Sequence, residues 1–316
     1  MICLNRFDAE FSARTSKEDW RRIVHLRDHS RYLDGVAFYD EHVPALFANN
    51  FVLNKAVTDY ARFQTIVFTL HLYDTYDANK PSSTGLTLSR LQKLCVAYNI
   101  SSPGGVVAFV GLMLFAGYLK RQQCNEDKRV VHLEPTASFV NIVESWTRRV
   151  LQSIDTIVPG AALTNCHEDH PRFGWDMREH STQNVLNGWK PLDPFPEALH
   201  FVGSHGGWML LCRCVSDMLR KSRTEISPIS VDLVAFGKRF GVSRTHLRRM
   251  LESAFDKGLL DAPPRNGSNI VMSEKLFASC MAAQASELSN YRLCALAAKS
   301  GLGLTPDRQL VDMPSR

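Results

Sequence analysis

A sequence pattern that occurs twice limits the folds that these 316 residues can adopt. A constant offset of 142 residues relates five positions of the first copy to five of the second: Leu91 to Leu233, Leu94 to Phe236, Tyr98 to Phe240, Ile100 to Val242 and Ser101 to Ser243. Gly117 then matches Gly258 at an offset of 141. Because apolar and turn residues repeat together, we predict two copies of one supersecondary unit.

The sequence of each copy predicts two helices that are joined by a tight turn and followed by a β-hairpin. In the first copy one helix covers about residues 88–97 and the next begins after residues 101–103, with Asn99 in a left-handed turn, Ser101 or Ser102 as the helix cap and Pro103 in the first helical turn. In the second copy the helices cover 231–240 and 243–255, Gly241 makes the turn, and residues 259–272 form the hairpin. This order is that of a helix-turn-helix with a wing.

The expected fold class is therefore mainly α with small β-hairpins (α+β), with two winged helix-turn-helix units joined by helices and an irregular connector. Residues 159–207 lack helical periodicity and are rich in Gly, Pro, His and Asn, which favours an irregular connector. The predicted division is an N-terminal helical segment 1–56, a first winged-helix domain 57–157, the connector 158–205, a second winged-helix domain 206–298 and a tail 299–316.

The second copy carries a candidate DNA-reading helix. Residues 238–249 contain five Lys or Arg and no Asp or Glu, and residues 206–298 contain thirteen basic and eight acidic side chains. With Leu247, Met250 and Leu251 buried, helical geometry places the remaining side chains on outer faces. Because Arg pairs with guanine edges and with phosphates, we predict DNA contacts by Ser243, Arg244, Thr245, His246, Arg248, Arg249 and, at the wing, Arg265. The alternative is a solvated surface helix.

The first copy resembles the MarR family of winged-helix regulators. The resemblance lies in residues 117–121 (Gly-Tyr-Leu-Lys-Arg) and 125–136 (Asn-Glu-Asp-Lys-Arg-Val-Val-His-Leu-Glu-Pro-Thr), and it extends over about residues 57–157. In that family the wing carries Asp-x-Arg, which Asp127 and Arg129 match. The resemblance implies that Asp127 steadies the wing, that Arg129 enters the minor groove, and that Lys128 and Arg129 contact DNA.

The first copy departs from that family at its second helix. The positions set opposite the basic residues of the second copy are uncharged: Ser102, Pro103, Gly104, Val106 and Val107. The run from Val106 to Phe115 is nearly all apolar, which favours a buried helix. An alternative for the first unit is therefore a packing or dimerisation module of which the wing alone contacts DNA.

Composition bears on the compartment. The longest uncharged stretch, residues 104–119, is shorter than the roughly 20 residues of a membrane-spanning helix, and charged residues interrupt the N-terminal segment. The eight cysteines are scattered, as is typical of reduced thiols. We therefore expect a cytoplasmic protein with no membrane span and no disulfide framework. The metal-capable residues 166–170 match no standard zinc spacing, so no metal or cofactor is expected.

These features predict a sequence-specific transcription regulator and not an enzyme, with double-stranded DNA as its partner. The alternatives are a plasmid-type replication initiator, a protein-interaction scaffold built on winged helices, and a hydrolase using residues 160–206. We further expect a homodimer formed through a helix over residues 282–296. A small aromatic effector is expected among the aromatic positions Phe38, Tyr39, Phe47, Phe51, Tyr60, Phe63 and Phe68.

Overall fold

A computed structural model describes residues 5–57, 59–222, 225–264 and 269–303. In this part of the chain the protein is mainly helical with two antiparallel two-stranded sheets, so the mainly α, α+β class is confirmed. No helix in these ranges combines the length and the apolar character needed to span a bilayer. The helices are α1 Asp8–Ala13, α2 Lys17–Arg27, α3 Tyr32–His42, α4 Phe51–Val57, α5 Tyr60–Asp74, α6 Leu88–Ala97, α7 Pro103–Phe115, α8 Ala137–Ile157, α9 Leu163–Asp169, α10 Phe173–Leu186, α11 Pro196–Val202, α12 Gly207–Lys221, α13 Leu233–Phe240, α14 Arg244–Asp256 and α15 Glu274–Gly301. The strands are β1 Leu119–Gln123, β2 Val131–Pro135, β3 Ile229–Ser230 and β4 Asn269–Ile270.

Two compact units divide the chain. Met1–Asn49 together with Trp146–Arg316 form one, which we call the discontinuous unit, and Asn50–Ser145 form the other, the inserted unit. The five segments predicted from the sequence do not follow this division, because α2 packs on α15 and α3 packs on α12. Those contacts join residues far apart in the chain, and local sequence patterns do not record them.

Helix α15 is the central element of the discontinuous unit. It packs against α2, α10 and α11, and the Tyr32 hydroxyl donates a hydrogen bond to the Met281 carbonyl oxygen at 2.5 Å. Most of its side chains are buried, including Ala282, Leu288 and Ala295. The apolar face of the predicted dimer helix over 282–296 is therefore used inside its own unit, and the homodimer stays a prediction.

The predicted irregular connector over 158–205 is also corrected, because α9, α10 and α11 lie there. Polar side chains hold α10 against α15: the Asn184 amide donates to Asn290 Oδ1 at 2.7 Å, and the Asn290 amide donates to Ser181 Oγ at 3.1 Å. Ser181 and Thr182 are buried in α10. The packed face of this helix thus contains hydroxyl groups, and the apolar period that signals a helix is weak.

The two sequence copies share their local geometry. Asn99 and Gly241 both have left-handed backbones, with φ of 54° and 69°. Ser102 caps α7 by accepting a hydrogen bond from Gly105 N at 3.1 Å, and Ser243 caps α14 by accepting one from His246 N at 3.2 Å. The predicted turn and cap residues are confirmed, with Ser102 and not Ser101 as the first cap.

The position of these caps corrects the pairing of the two second helices. The turn between α6 and α7 is one residue longer than the turn between α13 and α14. The offset between corresponding residues therefore falls from 142 to 141 at the start of α7 and α14, and not later at Gly117. At this offset the buried residues correspond one to one: Val106 to Leu247, Phe109 to Met250, Val110 to Leu251 and Met113 to Ala254. Arg248 therefore corresponds to Val107, and Val106 occupies a core position and not a DNA-facing one.

Strand pairing also repeats. In the inserted unit Leu119 pairs with Pro135, and Thr87, just before α6, bridges to His132. In the discontinuous unit Leu260 bridges to Met272, and Ile229, before α13, pairs with Ile270. In each unit, the last strand of the hairpin is thus paired on one side with the segment that follows the second helix and on the other side with the segment that precedes the first helix. Residues 265–268, with the predicted wing contact Arg265, lie outside the described residues.

The carboxyl group of Glu287, a half-buried residue, makes the stability of the discontinuous unit depend on pH. Burial raises the pKa of Glu287 on α15 to about 7. The pKa of Glu287 is higher in the folded protein than in the unfolded chain. The protonated carboxyl therefore contributes stability that is fully present below the ordinary glutamate range and is lost as pH rises through 7. We expect Glu287→Gln to remove about 1 to 2 kcal/mol of the stability difference between pH 5.5 and pH 8.5, measured by urea unfolding. Glu274→Gln, at the exposed start of the same helix, is the control and should leave that difference unchanged; equal effects of both substitutions would contradict the assignment.

Candidate nucleic-acid interface

Helices α13 and α14 are joined by a short, tightly packed turn. Asp232 caps α13, where its Oδ1 accepts hydrogen bonds from the amides of Val234 at 2.9 Å and Ala235 at 3.0 Å. The Val242 amide donates to the Gly237 carbonyl oxygen at 3.0 Å. A Cβ atom at Gly237 would lie 2.3 Å from the Val242 carbonyl oxygen, so only glycine permits this close approach.

A pair of glycines at the start of α12 supports α14 from behind. A Cβ atom at Gly206 would lie 2.5 Å from Val242 Cγ2, and one at Gly207 would lie 2.9 Å from Met250 Sδ. The His200 ring reaches the Met250 carbonyl oxygen at 3.5 Å. The start of α12 therefore packs directly against the turn and the buried face of α14, and sequence reasoning missed this role of the Gly206-Gly207 pair.

The outer face of α14 carries the predicted contact residues. Leu247, Met250, Leu251 and Ala254 are buried and form the inner face. The six predicted side chains are all exposed: Ser243, Arg244, Thr245, His246, Arg248 and Arg249. At about 100° per residue, Thr245 and Arg249 project most directly away from the core, while Arg244 and His246 lie on opposite flanks of the same face.

Charge is distributed unevenly along α14. Its first half has Arg244, Arg248 and Arg249, whereas Glu252 and Asp256 lie in the second half. Arg248 Nε donates to Glu252 Oε1 at 2.7 Å, which neutralises part of its charge. Within the described residues no ion pair engages Arg244 or Arg249. The positive charge is thus strongest at the helix N-terminus, where the helix dipole adds to it.

Nearby groups extend this basic region. Lys238 and Arg239 are exposed at the end of α13. Hydrogen bonds from the Ala235 and Val234 amides lower the pKa of Asp232, and the charges of Arg244 and Lys238 lower it further. This carboxylate therefore stays ionised at neutral pH and serves as a helix cap.

Two of the predicted residues have additional partners. The Ser243 hydroxyl oxygen is used as the α14 cap, although the hydroxyl proton can still be donated outward. The His246 ring lies edge-on to the His205 ring, with centroids 6.2 Å apart. These contacts orient both side chains at the N-terminus of α14.

The hairpin of the inserted unit has an internally braced tip. Asp127 Oδ1 accepts hydrogen bonds from the Arg129 backbone amide at 3.0 Å and from Arg129 Nε at 3.1 Å. The Arg129 hydrogen bonds lower the pKa of Asp127. The Arg129 side chain remains 92% exposed and Lys128 is exposed beside it, so both predicted wing residues are accessible.

The outer face of α7 is apolar and exposed, which corrects the expectation of a buried helix. Phe115 is 86% exposed and Val107 is 47% exposed. The positions that correspond to Arg248 and Arg249 are Val107 and Ala108, and both are exposed. This helix therefore presents no charge to a polyanion.

The aromatic residues predicted to form one effector pocket are divided between the two units. Tyr39 and Phe47 are buried in the discontinuous unit, where both pack edge-on against Trp208. Phe68 is buried in the inserted unit against Tyr98. These three side chains are core residues of separate units, and they do not line a common pocket within either one.

The weaker sequence candidates have structural explanations. Cys166 and His167 are buried on α9, and no three His, Cys, Asp or Glu side chains of the described chain are grouped as a metal site. The Ser204 hydroxyl donates to the His200 carbonyl oxygen at 3.0 Å, which closes the α11 end. Their geometry is accounted for by helix packing and helix termination.

Comparison of this chain with protein-family models, with curated proteins and with solved structures finds no match. The resemblance to MarR regulators therefore depends on residues 117–136 alone. The functional argument depends on the geometry and the charge of the two helix pairs.

Proposed function

We propose that this protein is a sequence-specific regulator of transcription that binds double-stranded DNA through two winged helix-turn-helix units. In this proposal α14 enters the major groove and acts as the recognition helix. The observation that carries the proposal is the exposed basic first half of α14, where Arg244 and Arg249 have no ion-pair partner among the described residues. In this proposal the protein acts in the cytoplasm.

Elementary geometry supports this orientation. An α-helix fits the major groove of B-DNA, and recognition helices contact base edges mainly with residues of their first turns. Arg244, Arg248 and Arg249 lie in those turns, whereas Glu252 and Asp256 follow where the helix would leave the groove. The amides at the Ser243 cap and the helix dipole also favour a phosphate oxygen there.

The hairpin of the inserted unit is proposed as a wing that contacts the minor groove. The hydrogen bonds from Arg129 to Asp127 restrict the hairpin tip, so less conformational entropy is lost when it binds. Arg129 is the residue expected to enter the groove, with Lys128 on the adjacent phosphates. Arg265 is proposed for the equivalent role in the second wing.

A second candidate role applies to the inserted unit alone. The exposed apolar residues Val107 and Phe115 on α7 favour contact with a protein and not with DNA. This corresponds to the interaction-scaffold alternative, and it is compatible with DNA binding by the discontinuous unit.

Duplex selection followed by a salt series tests the proposed function. We expect enrichment of a defined sequence from a random duplex pool, and a slope of log affinity against log salt of about −3 to −6, as three to six phosphate contacts require. A selected sequence that maps to promoters supports a regulator, whereas one that maps to an iterated origin identifies a replication initiator. Absence of duplex binding at 50 mM salt by folded protein would overturn the proposal.

A further inference from the structure

A cleft of about 530 Å³ lies entirely within the discontinuous unit. It is bounded by the end of α3, by α12, and by the segment that leads from β3 into α13. Its walls are largely apolar and include Met209, Val231, Phe236 and Phe240. This volume is in the range of cavities that take small ligands.

One buried carboxyl group lines this cleft. Asp40 is only 4% exposed, and its Oδ1 accepts a hydrogen bond from the Gln284 side-chain amide. Asp40 Oδ2 is buried, and no nitrogen or oxygen donor of the described residues reaches it; the Cys212 thiol, a weak donor, interacts with the same carboxyl group. Burial raises the pKa of Asp40 well above its ordinary value, and hydrogen bonds from Cys212 and Gln284 offset part of this rise. An unsatisfied buried oxygen of this kind is costly unless a ligand donates to it.

The charged residues at the rim are already paired with one another. Arg213 Nε donates to Asp217 Oδ2 at 2.6 Å, and Arg220 lies 2.7 Å from Glu41 Oε1. The guanidinium of Arg239 lies over the Phe240 ring, 5.4 Å from its centroid. Because these arginines are held by carboxylates or by a ring, none of them is directed at Asp40.

We propose that this cleft binds a small primary amine with an apolar or aromatic body, whose ammonium group donates a hydrogen bond to Asp40 Oδ2. The apolar walls accept the body, and Asp40 is the acceptor at the buried end. The other carboxylates of the lining (Glu41, Asp217 and Asp232) equal its three arginines in number, so the preference for a cation depends on Asp40, whose ionised form an ammonium group stabilises. A ligand with a carboxylate in place of the amine would place two acids together.

The cleft shares residues with the helix-turn-helix. Phe236 and Phe240 line the cleft and are also buried residues of α13, which supports α14. A ligand that displaces these rings would therefore shift α13 and change DNA affinity. This coupling depends on the proposed function, whereas amine binding itself does not.

Binding of three matched probes to the full chain tests the site: phenethylamine, 2-phenylethanol and phenylacetate, measured by calorimetry without DNA. We expect phenethylamine to bind at least 10-fold more tightly than either of the others. Asp40→Asn should weaken phenethylamine at least 10-fold and leave 2-phenylethanol unchanged. Failure of phenethylamine to bind, or equal binding of all three probes, would overturn the proposal.

A second pair of variants guards against misfolding of Asp40→Asn. Ala235→Trp introduces a large side chain into the cleft from an exposed position of α13, and Val234→Trp, on the adjacent residue outside the cleft lining, is its control. We expect only Ala235→Trp to abolish phenethylamine binding, and equal affinities in the two variants would refute the location. If phenethylamine binds but leaves DNA affinity unchanged, the site stands and the coupling is rejected. If DNA binds and phenethylamine does not, the site is rejected and the proposed function stands.

Discussion

We expect Arg244→Ala and Arg249→Ala each to lower the affinity for the selected duplex by about 5- to 150-fold, equivalent to roughly 1 to 3 kcal/mol. Both guanidinium groups are exposed on the first half of α14, without an ion-pair partner among the described residues. A lost base contact removes the preference for one base, whereas a lost phosphate contact reduces the salt slope by about one unit. Fluorescence anisotropy across a salt series separates these two outcomes.

Arg248 provides an internal comparison. Its ion pair with Glu252 must be broken or shared before Arg248 can contact DNA, so Arg248→Ala should have the smaller effect. Glu252→Gln should strengthen binding, because it removes a negative charge facing the phosphates and releases Arg248.

Two controls define the expected specificity of these effects. Arg172→Ala removes an exposed arginine at the start of α10 and should leave affinity unchanged. Val107→Ala tests the position of α7 that corresponds to Arg248, and it should likewise leave the affinity unchanged. If Arg244→Ala and Arg249→Ala bind like the parent while Arg129→Ala abolishes binding without unfolding, the recognition surface belongs to the inserted unit.

Local features of this fold were predictable from the sequence. The left-handed turns at Asn99 and Gly241 and the cap at Ser243 depend on residue types that favour those backbone conformations by themselves. The exposed face of α14 followed from the spacing of Leu247, Met250 and Leu251 alone. Each of these features is determined within a few residues of the chain, which is the range over which sequence patterns are informative.

Features set by distant contacts were not predictable. Helix α10 is held by amide and hydroxyl contacts to Asn290, and these leave only a weak apolar period to detect. The one-residue shift between α7 and α14 became apparent only from the buried pair Val106 and Leu247.

The ion pair of Arg248 with Glu252 is different, because it spans one helical turn and could have been anticipated from its spacing.

Gly237→Ala is expected to destabilise the discontinuous unit by about 2 to 4 kcal/mol, because the added methyl group meets a backbone atom that cannot rotate away. The new Cβ would lie 2.3 Å from the Val242 carbonyl oxygen, so α13 and α14 must separate or the turn at Gly241 must distort. Alanine has the higher helix propensity, so the expected loss comes from packing and not from the helix itself.

The matched control is Gly111→Ala on α7, where a Cβ atom meets nothing within 4 Å. There the same substitution should stabilise the protein by about 0.5 to 1 kcal/mol, since alanine lowers the entropy cost of helix formation. Urea unfolding monitored by circular dichroism measures both changes, and duplex affinity should fall for Gly237→Ala and stay constant for Gly111→Ala. Equal stability of the two variants would mean that α13 and α14 do not cross at Gly237, and the orientation of the proposed recognition helix would then have to be abandoned.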